Sequence, residues 1–263
     1  MDKIHYQNIA QVEKNNWWYR GKREILLSTV QKLAFRKGAT VLDVGCGTGI
    51  FLSLLNSRSN LTCYGLEPEN GFFRLASSRL PKRISNRELA KFSQYVKSKK
   101  SQFPPHYDLV TCIDTLEHLK DDHLAISQMA ALVKPGGVLL LYCPAYMFLW
   151  SKLDTISHHF RRYTKSQLEN LIKQAGLSPV FSSYSNTLLF PPIALIRCLS
   201  HLVGRDLFFD PTGLKPHHPL INRLFYSLYT LEKFFWFPHQ HIITLPFGVS
   251  VLAIAQKPKP TSP

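Results

Sequence analysis

The chain has 263 residues, enough to bury the core of one α/β domain with a further segment left over. Hydrophobic residues make up 45% of it, which excludes an intrinsically disordered protein, and its net charge is +15. Such an excess suggests an anionic partner, either nucleic acid or a lipid surface, although a basic protein without such a target is an equal alternative.

The cysteine pattern and the absence of long apolar runs bear on the compartment. No C-x-x-C pair occurs, and four of the five cysteines lie within or beside predicted buried strands. They therefore predict reduced core thiols in a cytoplasmic protein and not a disulfide framework. The first twenty residues lack the apolar core of a signal peptide, and no apolar run reaches the roughly eighteen residues of a spanning helix. The cysteines are Cys46, Cys63, Cys112, Cys143 and Cys198.

The first predicted element is a helix that follows an aromatic cluster, Trp17, Trp18 and Tyr19, and ends before Gly38. A strand, a glycine-rich turn and a second helix follow in residues 41–55, VLDVGCGTGIFLSLL. Glycines let a backbone lie against a flat ligand where a Cβ would collide, and Thr48 is a plausible helix cap. The turn comprises Gly45, Cys46, Gly47, Thr48 and Gly49.

Two acidic residues flank this turn in the expected fold. Asp43 lies on the strand just before it, and a second apolar strand ends in Glu67. Glu67 follows Gly45 by 67 − 45 = 22 residues, near the offset at which an acid binds a ribose diol. Position 50 is isoleucine, so the turn departs from the dinucleotide fingerprint G-x-G-x-x-G.

The middle of the chain is strongly basic and then returns to regular elements. Residues 74–100 carry nine Lys and Arg against Glu88 alone, nine minus one or +8, which indicates a solvated face or a phosphate contact. Helices are predicted from Leu116 to Leu132, where Pro135-Gly136-Gly137 stops the pattern, and from Thr164 to Gly176. Further strands are predicted at residues 107–113, 138–143, 177–184 and 247–255.

The motifs VLDVGCGTG, Glu67, CIDTLEHL and LVKPGGVLLL, in this order, resemble those of the class I S-adenosylmethionine-dependent methyltransferases over residues 17–185. The resemblance implies an α/β fold, a Rossmann-like three-layer sandwich with a mainly parallel seven-stranded sheet, and S-adenosylmethionine as cofactor. Relatives carry an acid after the third strand that binds adenine; Glu88 is the nearest candidate here, without a clear match. The implied cofactor-binding residues are Asp43, Gly45, Cys46, Gly47, Gly49, Glu67 and Asp114.

The resemblance also implies roles for histidines and for a basic loop. A hydroxyl acceptor needs a base, and histidine suits neutral pH, so the catalytic candidates are His118, His158 and His159. In similar enzymes the loop after the fifth strand lies over the substrate and an aromatic N-terminal helix covers the pocket. The candidates for substrate contact are therefore Arg161, Arg162, Tyr163 and Trp18. Alternatively, the arginines pair with acids and the tryptophans fasten their helix to the core.

A metal site is an alternative that we do not favour. Asp114, Glu117 and His118 have i, i+3, i+4 spacing and would share one face of a helical turn. Together with His158 or His159 they resemble the magnesium site of small-RNA 3′-end methyltransferases and of some ubiquinone-pathway O-methyltransferases. Hard divalent cations prefer oxygen ligands, so the expectation is that no metal binds.

The segment 186–244 reads as a helical apolar insertion before the last strand, between a methyltransferase core at 1–185 and a final strand and tail at 245–263. It is either a lid over a hydrophobic or lipid- or glycan-linked acceptor, or a peripheral attachment to an anionic inner membrane face. The function implied is methyl transfer to oxygen or nitrogen of such a small acceptor. The rival functions are an RNA methyltransferase and a non-catalytic, membrane-associated cofactor-binding protein. The predicted apolar face of its second helix comprises Leu220, Leu224, Leu228, Leu231 and Phe235.

Overall fold

The computed structural model describes residues 10–205, 207, 218–234 and 244–259. These residues divide into two compact units, which we call the sheet unit and the helical unit. The sheet unit comprises residues 34–143, 165–182 and 252–259; the helical unit comprises the described residues of 10–33, 144–164 and 183–251. The domain boundaries drawn from the sequence at 185 and 244 stay a prediction.

Seven strands form one sheet in the order β3-β2-β1-β4-β5-β7-β6. All the neighbouring pairs from β3 to β5 are parallel. Strand β7 runs antiparallel to β5, because Lys257 N donates to Gly137 O and Ala145 N donates to Val249 O. The strands are β1 Thr40–Val44, β2 Thr62–Leu66, β3 Ile84–Ser85, β4 Tyr107–Ile113, β5 Val133–Pro144, β6 Ser178–Ser185 and β7 Ser250–Gln256.

The described α-helices are α1 Trp17–Lys32, α2 Ile50–Arg58, α3 Asn70–Arg79, α4 Leu89–Tyr95, α5 Asp122–Leu132, α6 Lys152–Ile156, α7 Lys165–Gln174, α8 Phe190–Val203 and α9 Pro219–Leu231. Strands β1 and β4 have apolar residues on both faces, and Leu42, Leu109 and Val110 are fully buried. This burial on both faces is what a mainly parallel sheet requires. The Rossmann-like α/β fold with a seven-stranded sheet is confirmed.

Three local predictions were wrong. Thr48 does not cap α2, because the N-cap is Gly49 in a left-handed conformation. The helix predicted from Leu116 begins only at Asp122, where the Asp121 carboxylate accepts a hydrogen bond from Leu124 N. The helix ends at Leu132 as predicted, but the strand predicted from residue 138 begins at Val133, so the Pro135-Gly136-Gly137 run lies inside β5, where Gly136, at φ +78°, donates its N–H to Lys257 O at 2.8 Å.

In the helical unit, α1 packs against α9. The Trp17 ring lies 5.2 Å from the Phe225 ring and 6.2 Å from that of Tyr229, and Trp17 N donates to Asn222 Oδ1 at 2.8 Å. Gly21 permits this approach, because an added Cβ would lie 2.5 Å from Tyr229 Cδ1. The aromatic cluster of α1 therefore fastens one helix to another within this unit.

Helices α8 and α9 lie in the segment predicted as an apolar insertion. Neither they nor any other described helix combines the length and the hydropathy that crossing a bilayer requires. Several residues on which the insertion prediction drew lie outside the described residues, namely Lys215, Phe235, Trp236 and Phe237.

Candidate functional site

The glycine turn is held against the ends of β2 and β4 in the sheet unit. Gly45 N and Cys46 N both donate to Leu66 O at 2.9 Å, at the end of β2. A Cβ on Gly45 would lie 2.3 Å from Thr115 Oγ1, so this position excludes any larger residue. The backbone therefore approaches Thr115, just after β4, more closely than a side chain would allow.

Gly47 differs from Gly45 in what surrounds it. Its φ of +56° lies in the left-handed region, and an added Cβ would meet no atom within 4 Å. Its N–H donates to Glu67 Oε2 at 2.8 Å. The turn thus leaves an open space directly beside the Glu67 carboxylate.

Both carboxylate oxygens of Glu67 accept hydrogen bonds from backbone N–H groups. Glu67 is 7% exposed, and Oε1 accepts a second hydrogen bond from Glu69 N at 3.0 Å. Burial raises the pKa of Glu67, and the N–H groups of Glu69 and Gly47 counteract part of that rise. A carboxylate held in this way is preorganised to accept further hydrogen bonds from a diol.

Asp43 lies beneath the turn, 3% exposed, with Oδ1 accepting the Thr111 hydroxyl at 2.7 Å. Burial raises the pKa of Asp43 to about 7, against the opposing Thr111 hydrogen bond and with a further contribution from the Glu67 charge. The neighbouring Cys46 thiol is also buried, which raises its pKa. The ionisation of an acid with a pKa near neutrality responds strongly to a nearby cation.

Asp114 follows β4 and adopts φ +44°, with its N–H donating to Tyr142 O at 2.8 Å. Glu117 and His118 form a short 3₁₀ turn at Leu116–His118. The premise that Asp114 shares a helical face with them was wrong, because its left-handed backbone precedes the turn. The metal alternative stays a prediction, now without that support.

The residues of the turn fit the cofactor implied by the sequence. S-adenosylmethionine has a ribose diol, which matches the buried carboxylate of Glu67, and a flat adenosyl group, which needs a backbone free of side chains. The open space at Gly47 next to Glu67 meets both requirements. The assignment of individual residues to parts of the cofactor stays a prediction.

The basic segment of residues 74–100 is partly used within the sheet unit itself. Arg79 donates to Thr48 O, Arg83 Nη1 donates to Asn56 Oδ1 at 2.9 Å, and Arg87 stacks over the Tyr95 ring at 3.9 Å. Glu88, the nearest candidate for the adenine contact, is exposed and lies 3.7 Å from Lys91. The third strand that the resemblance implies is the short β3, which ends two residues before Arg87.

A second polar cluster lies in the helical unit, around Asp154. His159 Nδ1 lies 2.9 Å from Asp154 Oδ1, and Arg162 Nε and Nη2 donate to its two oxygens at 2.8 and 2.9 Å. Burial alone would raise the pKa of Asp154, but the hydrogen bonds and charges of His159 and Arg162 hold it well below its usual value. Ser151 completes the cluster through a capping box with Asp154.

This cluster changes how two predicted site residues are interpreted. The Arg162 guanidinium pairs with Asp154, the alternative to a direct substrate contact that the sequence left open. His159 is oriented by the same acid, which the sequence analysis missed. The signal was present as the spacing Ser151-x-x-Asp154, a capping box that places a carboxylate just before the basic loop.

The other predicted contacts are spread over the helical unit. His158 is exposed and has φ +56°, and Arg161 lies 5.8 Å from the Phe160 ring. Tyr163 is 2% exposed and pairs with Ala145 in an isolated bridge. The Trp18 ring lies 5.8 Å from that of Tyr229, and its predicted substrate contact stays a prediction.

Asn186 is a further candidate that the sequence did not reveal. It follows β6, has φ +61° and is fully buried. Within the described part of the chain, neither its Oδ1 nor its Nδ2 has a hydrogen-bond partner. The backbone N–H of Asn186 donates to the buried Glu232 carboxylate at 2.6 Å, so the residue is held in place while its amide is unsatisfied. Such a group in a native structure calls for a ligand or water as its partner.

Comparison with known proteins agrees with this geometry. Residues 17–181, more than half of the chain, match a family described as "Methyltransferase domain". The ubiquinone biosynthesis O-methyltransferase of Pseudomonas paraeruginosa is 28% identical over 200 residues, covering 67% of this chain and 85% of that protein. Its namesake from Yersinia pestis is 38% identical over 145 residues, 51% of this chain and 59% of that protein.

Solved structures agree on the fold. A S-adenosylmethionine-dependent methyltransferase from Archaeoglobus fulgidus superposes with a TM-score of 0.54 at 15% identity, covering 89% of this chain and 94% of that one. The [4+2]-cyclase SpnF gives 0.55 at 16% identity, with 90% and 82% covered. The family match, the glycine turn and the buried acid beside it agree, and the chain belongs to the class I S-adenosylmethionine-dependent methyltransferases.

Proposed function

We propose that this enzyme transfers the methyl group of S-adenosylmethionine to a hydroxyl oxygen of an apolar acceptor, such as a phenol with a long hydrocarbon tail. The observation that carries the proposal is the open space at Gly47 beside the buried Glu67 carboxylate. The choice of oxygen draws on the relatives named O-methyltransferases and on the histidine held by Asp154.

The cofactor, when bound, supplies a methyl group already activated by the sulfonium charge. The protein's remaining task is to hold the acceptor oxygen in line with it and to exclude water, and orientation alone can contribute about 7–11 kcal/mol. In the proposal Glu67 binds the ribose hydroxyls. Asp43 lies near the sulfonium and amino groups, where a carboxylate offsets positive charge.

His159 is the general base of the proposal. Its Nδ1 faces Asp154, which favours the tautomer with the proton on Nδ1 and the lone pair on Nε2. A ring oriented by Asp154 accepts the hydroxyl proton of the acceptor as the methyl group is transferred, and the Asp154 carboxylate stabilises the resulting imidazolium. The Asn186 amide is the proposed hydrogen-bond partner of a second polar group on the acceptor.

Methyl transfer to an alkylated catechol tests the proposal. We expect labelled methyl from S-adenosylmethionine to appear on the catechol oxygen, and His159→Asn to lower kcat by about 10²-fold or more with a small change in KM. His158→Asn is the matched control, because Asn tolerates the left-handed backbone of that exposed position. Equal losses in both variants would argue against His159 as the base.

Calorimetry separately tests the part of the proposal that concerns cofactor binding. We expect Glu67→Ala to weaken binding of S-adenosylmethionine at least about tenfold, since a charge-assisted hydrogen bond contributes about 1.5–3 kcal/mol. Asp121→Ala, at an exposed helix cap in the same unit, should leave the affinity unchanged. Unchanged affinity in Glu67→Ala, with the protein folded, would refute the ribose assignment.

A further inference from the structure

We propose that the outer faces of α8 and α9 form a docking surface for an anionic lipid bilayer, with both helices lying in the plane of the membrane interface. This proposal does not depend on the acceptor or on the reaction. It rests on the exposure of particular side chains in the helical unit and on the charges beside them.

Helix α8 exposes its apolar side. Leu195, Leu199 and Leu202 are 61%, 41% and 82% exposed, and their i, i+4, i+7 spacing places them on one face. Pro191, Pro192 and Cys198 are also exposed on this side of the helix. On the other side of α8, Ser200 is buried and Phe190, Ile193 and Ile196 are half-buried, so the helix is apolar on both sides and still exposes its leucines.

Helix α9 repeats the pattern. Its inner face packs on α1 through Tyr229, whereas Leu220, Leu224 and Leu231 are 70%, 54% and 45% exposed at i, i+4, i+11 spacing. Phe234, three residues after Leu231, is 68% exposed. Two neighbouring helices in the sequence therefore each present an apolar stripe, and large exposed apolar surfaces mark sites of interaction.

The exposed charged residues that the structure describes beside these stripes are basic. Arg205 and Arg223 are exposed, and Arg223 directly precedes Leu224. Among the described residues of 186–234 the one carboxylate is Glu232, and it is 1% exposed. Among the residues that the structure describes here, the apolar stripes have a basic border without an exposed acid, which complements anionic headgroups above a hydrocarbon layer.

The same charges disfavour a second copy of the chain as the occupant of this face. An isologous dimer through α8 and α9 would bring two basic borders together in a protein that already has a net charge of +15. Penetration across the bilayer does not fit either, because no described helix is long and apolar enough to span it. Binding in the plane of the interface satisfies both the apolar and the basic side chains.

Co-sedimentation of the full chain with lipid vesicles tests the proposal. The probes are vesicles of phosphatidylcholine alone and of phosphatidylcholine with a quarter phosphatidylglycerol. We expect binding to the anionic vesicles, and a loss of about a hundredfold in the variant Leu195→Ser/Leu199→Ser/Leu202→Ser. Arg205→Gln/Arg223→Gln should lower the preference for anionic vesicles by about fivefold per arginine.

The control variant makes equivalent apolar changes elsewhere. Leu124→Ser/Val180→Ser replaces two side chains that are 53% and 50% exposed in the sheet unit, and it should bind vesicles as the wild type does. Thermal unfolding compared with the wild type verifies that each variant is folded. Because the exposed residues changed here are none of those assigned to cofactor binding or methyl transfer, failure of vesicle binding would leave the proposed methyl transfer intact.

Three results would overturn the proposal. One is a wild-type chain that binds neither kind of vesicle. Another is equal vesicle binding by the wild type and the triple serine variant. The third is a dimer in sedimentation velocity that the triple variant dissociates, without vesicle binding by either, which would assign the face to a second copy.

Discussion

At the scale of single residues, the proposed contact of Asp43 with the cofactor predicts that cofactor binding depends on pH. Burial raises its pKa to about 7, so in the free protein it is mostly protonated at pH 6 and mostly ionised at pH 8. A cationic ligand beside it favours the ionised form, and binding below pH 7 must therefore expel a proton. We expect the affinity for S-adenosylmethionine to fall by up to about tenfold per pH unit below pH 7.

Calorimetry at pH 6, 7 and 8 in buffers of different ionisation enthalpy measures both the affinity and the released proton. Asp43→Asn should abolish the dependence. S-adenosylhomocysteine lacks the sulfonium charge and should show a weaker one, which makes it the matched ligand. An affinity for S-adenosylmethionine that stays constant over this range would place the cation away from Asp43.

In the helical unit, the pKa of Asp154 is lowered, whereas that of Asp43 is raised. The hydrogen bonds and charges of His159 and Arg162 outweigh burial and lower the pKa of Asp154, so the folded state favours the ionised form. Its stabilisation is therefore present above the unfolded pKa of about 4 and is lost as the pH falls below that value. We expect Asp154→Asn to lower the free energy of unfolding by about 3 kcal/mol at pH 7.

Urea unfolding at pH 7 and at pH 3 gives the measurement. The difference between wild type and Asp154→Asn should be smaller at pH 3, because part of the wild-type stabilisation has gone. A difference that is the same at both pH values would mean that the Asp154 charge does not contribute. Asp121→Asn, at a helix cap with an exposed hydrogen bond, controls for the loss of an ordinary acid.

At the scale of elements, Gly21 of α1 lies directly against Tyr229 of α9. Alanine in place of glycine usually stabilises a helix interior by about 1 kcal/mol. At Gly21 we expect the reverse, a loss of about 1–3 kcal/mol, because the added Cβ would lie 2.5 Å from the buried Tyr229 ring. Thermal unfolding gives the measurement, with Ser28→Ala on the same helix as the control for the effect of alanine on helix propensity. A Gly21→Ala variant that is more stable than the wild type would contradict the observed contact.

The elements also show where sequence reasoning stops. Strands β1 and β4 were predictable because burial on both faces leaves a continuous apolar run. Strand β3 was missed because two residues, Ile84 and Ser85, carry no periodicity. The start of α5 was misplaced because the Asp121 cap competes with the apolar pattern that begins at Leu116.

The candidate site also contains some residues that the sequence predicts and others that it does not. Glu67 and the glycine turn could be predicted, since their spacing reflects a local strand–turn–helix geometry. The contact of His159 with Asp154 had only a local signal, the capping box at Ser151. The contact of Asn186 with Glu232 could not be predicted, because it joins residues that are 46 positions apart. The outward apolar face of α8 was also beyond the sequence, which shows a stripe but not the side on which solvent lies.

At the scale of the whole molecule, the net charge of +15 makes association with RNA an expected but uninformative observation. Such binding releases counterions, so we expect the Kd for a structured RNA to rise by about 10³-fold or more between 50 and 200 mM salt. Specific recognition would add contacts to bases, which salt affects far less. Part of the basic segment is already committed to contacts within the sheet unit, as for Arg83 and Asn56.

The decisive measurement identifies which molecule receives the methyl group. Total RNA and a lipid extract are incubated together with the enzyme and labelled S-adenosylmethionine at 50 and at 200 mM salt, and the phases are then separated. Because association with RNA is expected to lack the in-line placement that transfer requires, we expect label in the organic phase at both salt concentrations and none in RNA. The Glu67→Ala variant controls for label that does not depend on the cofactor site. Label in RNA that persists at the higher salt concentration would mean that the charge serves recognition of the acceptor, and the apolar acceptor would then be abandoned.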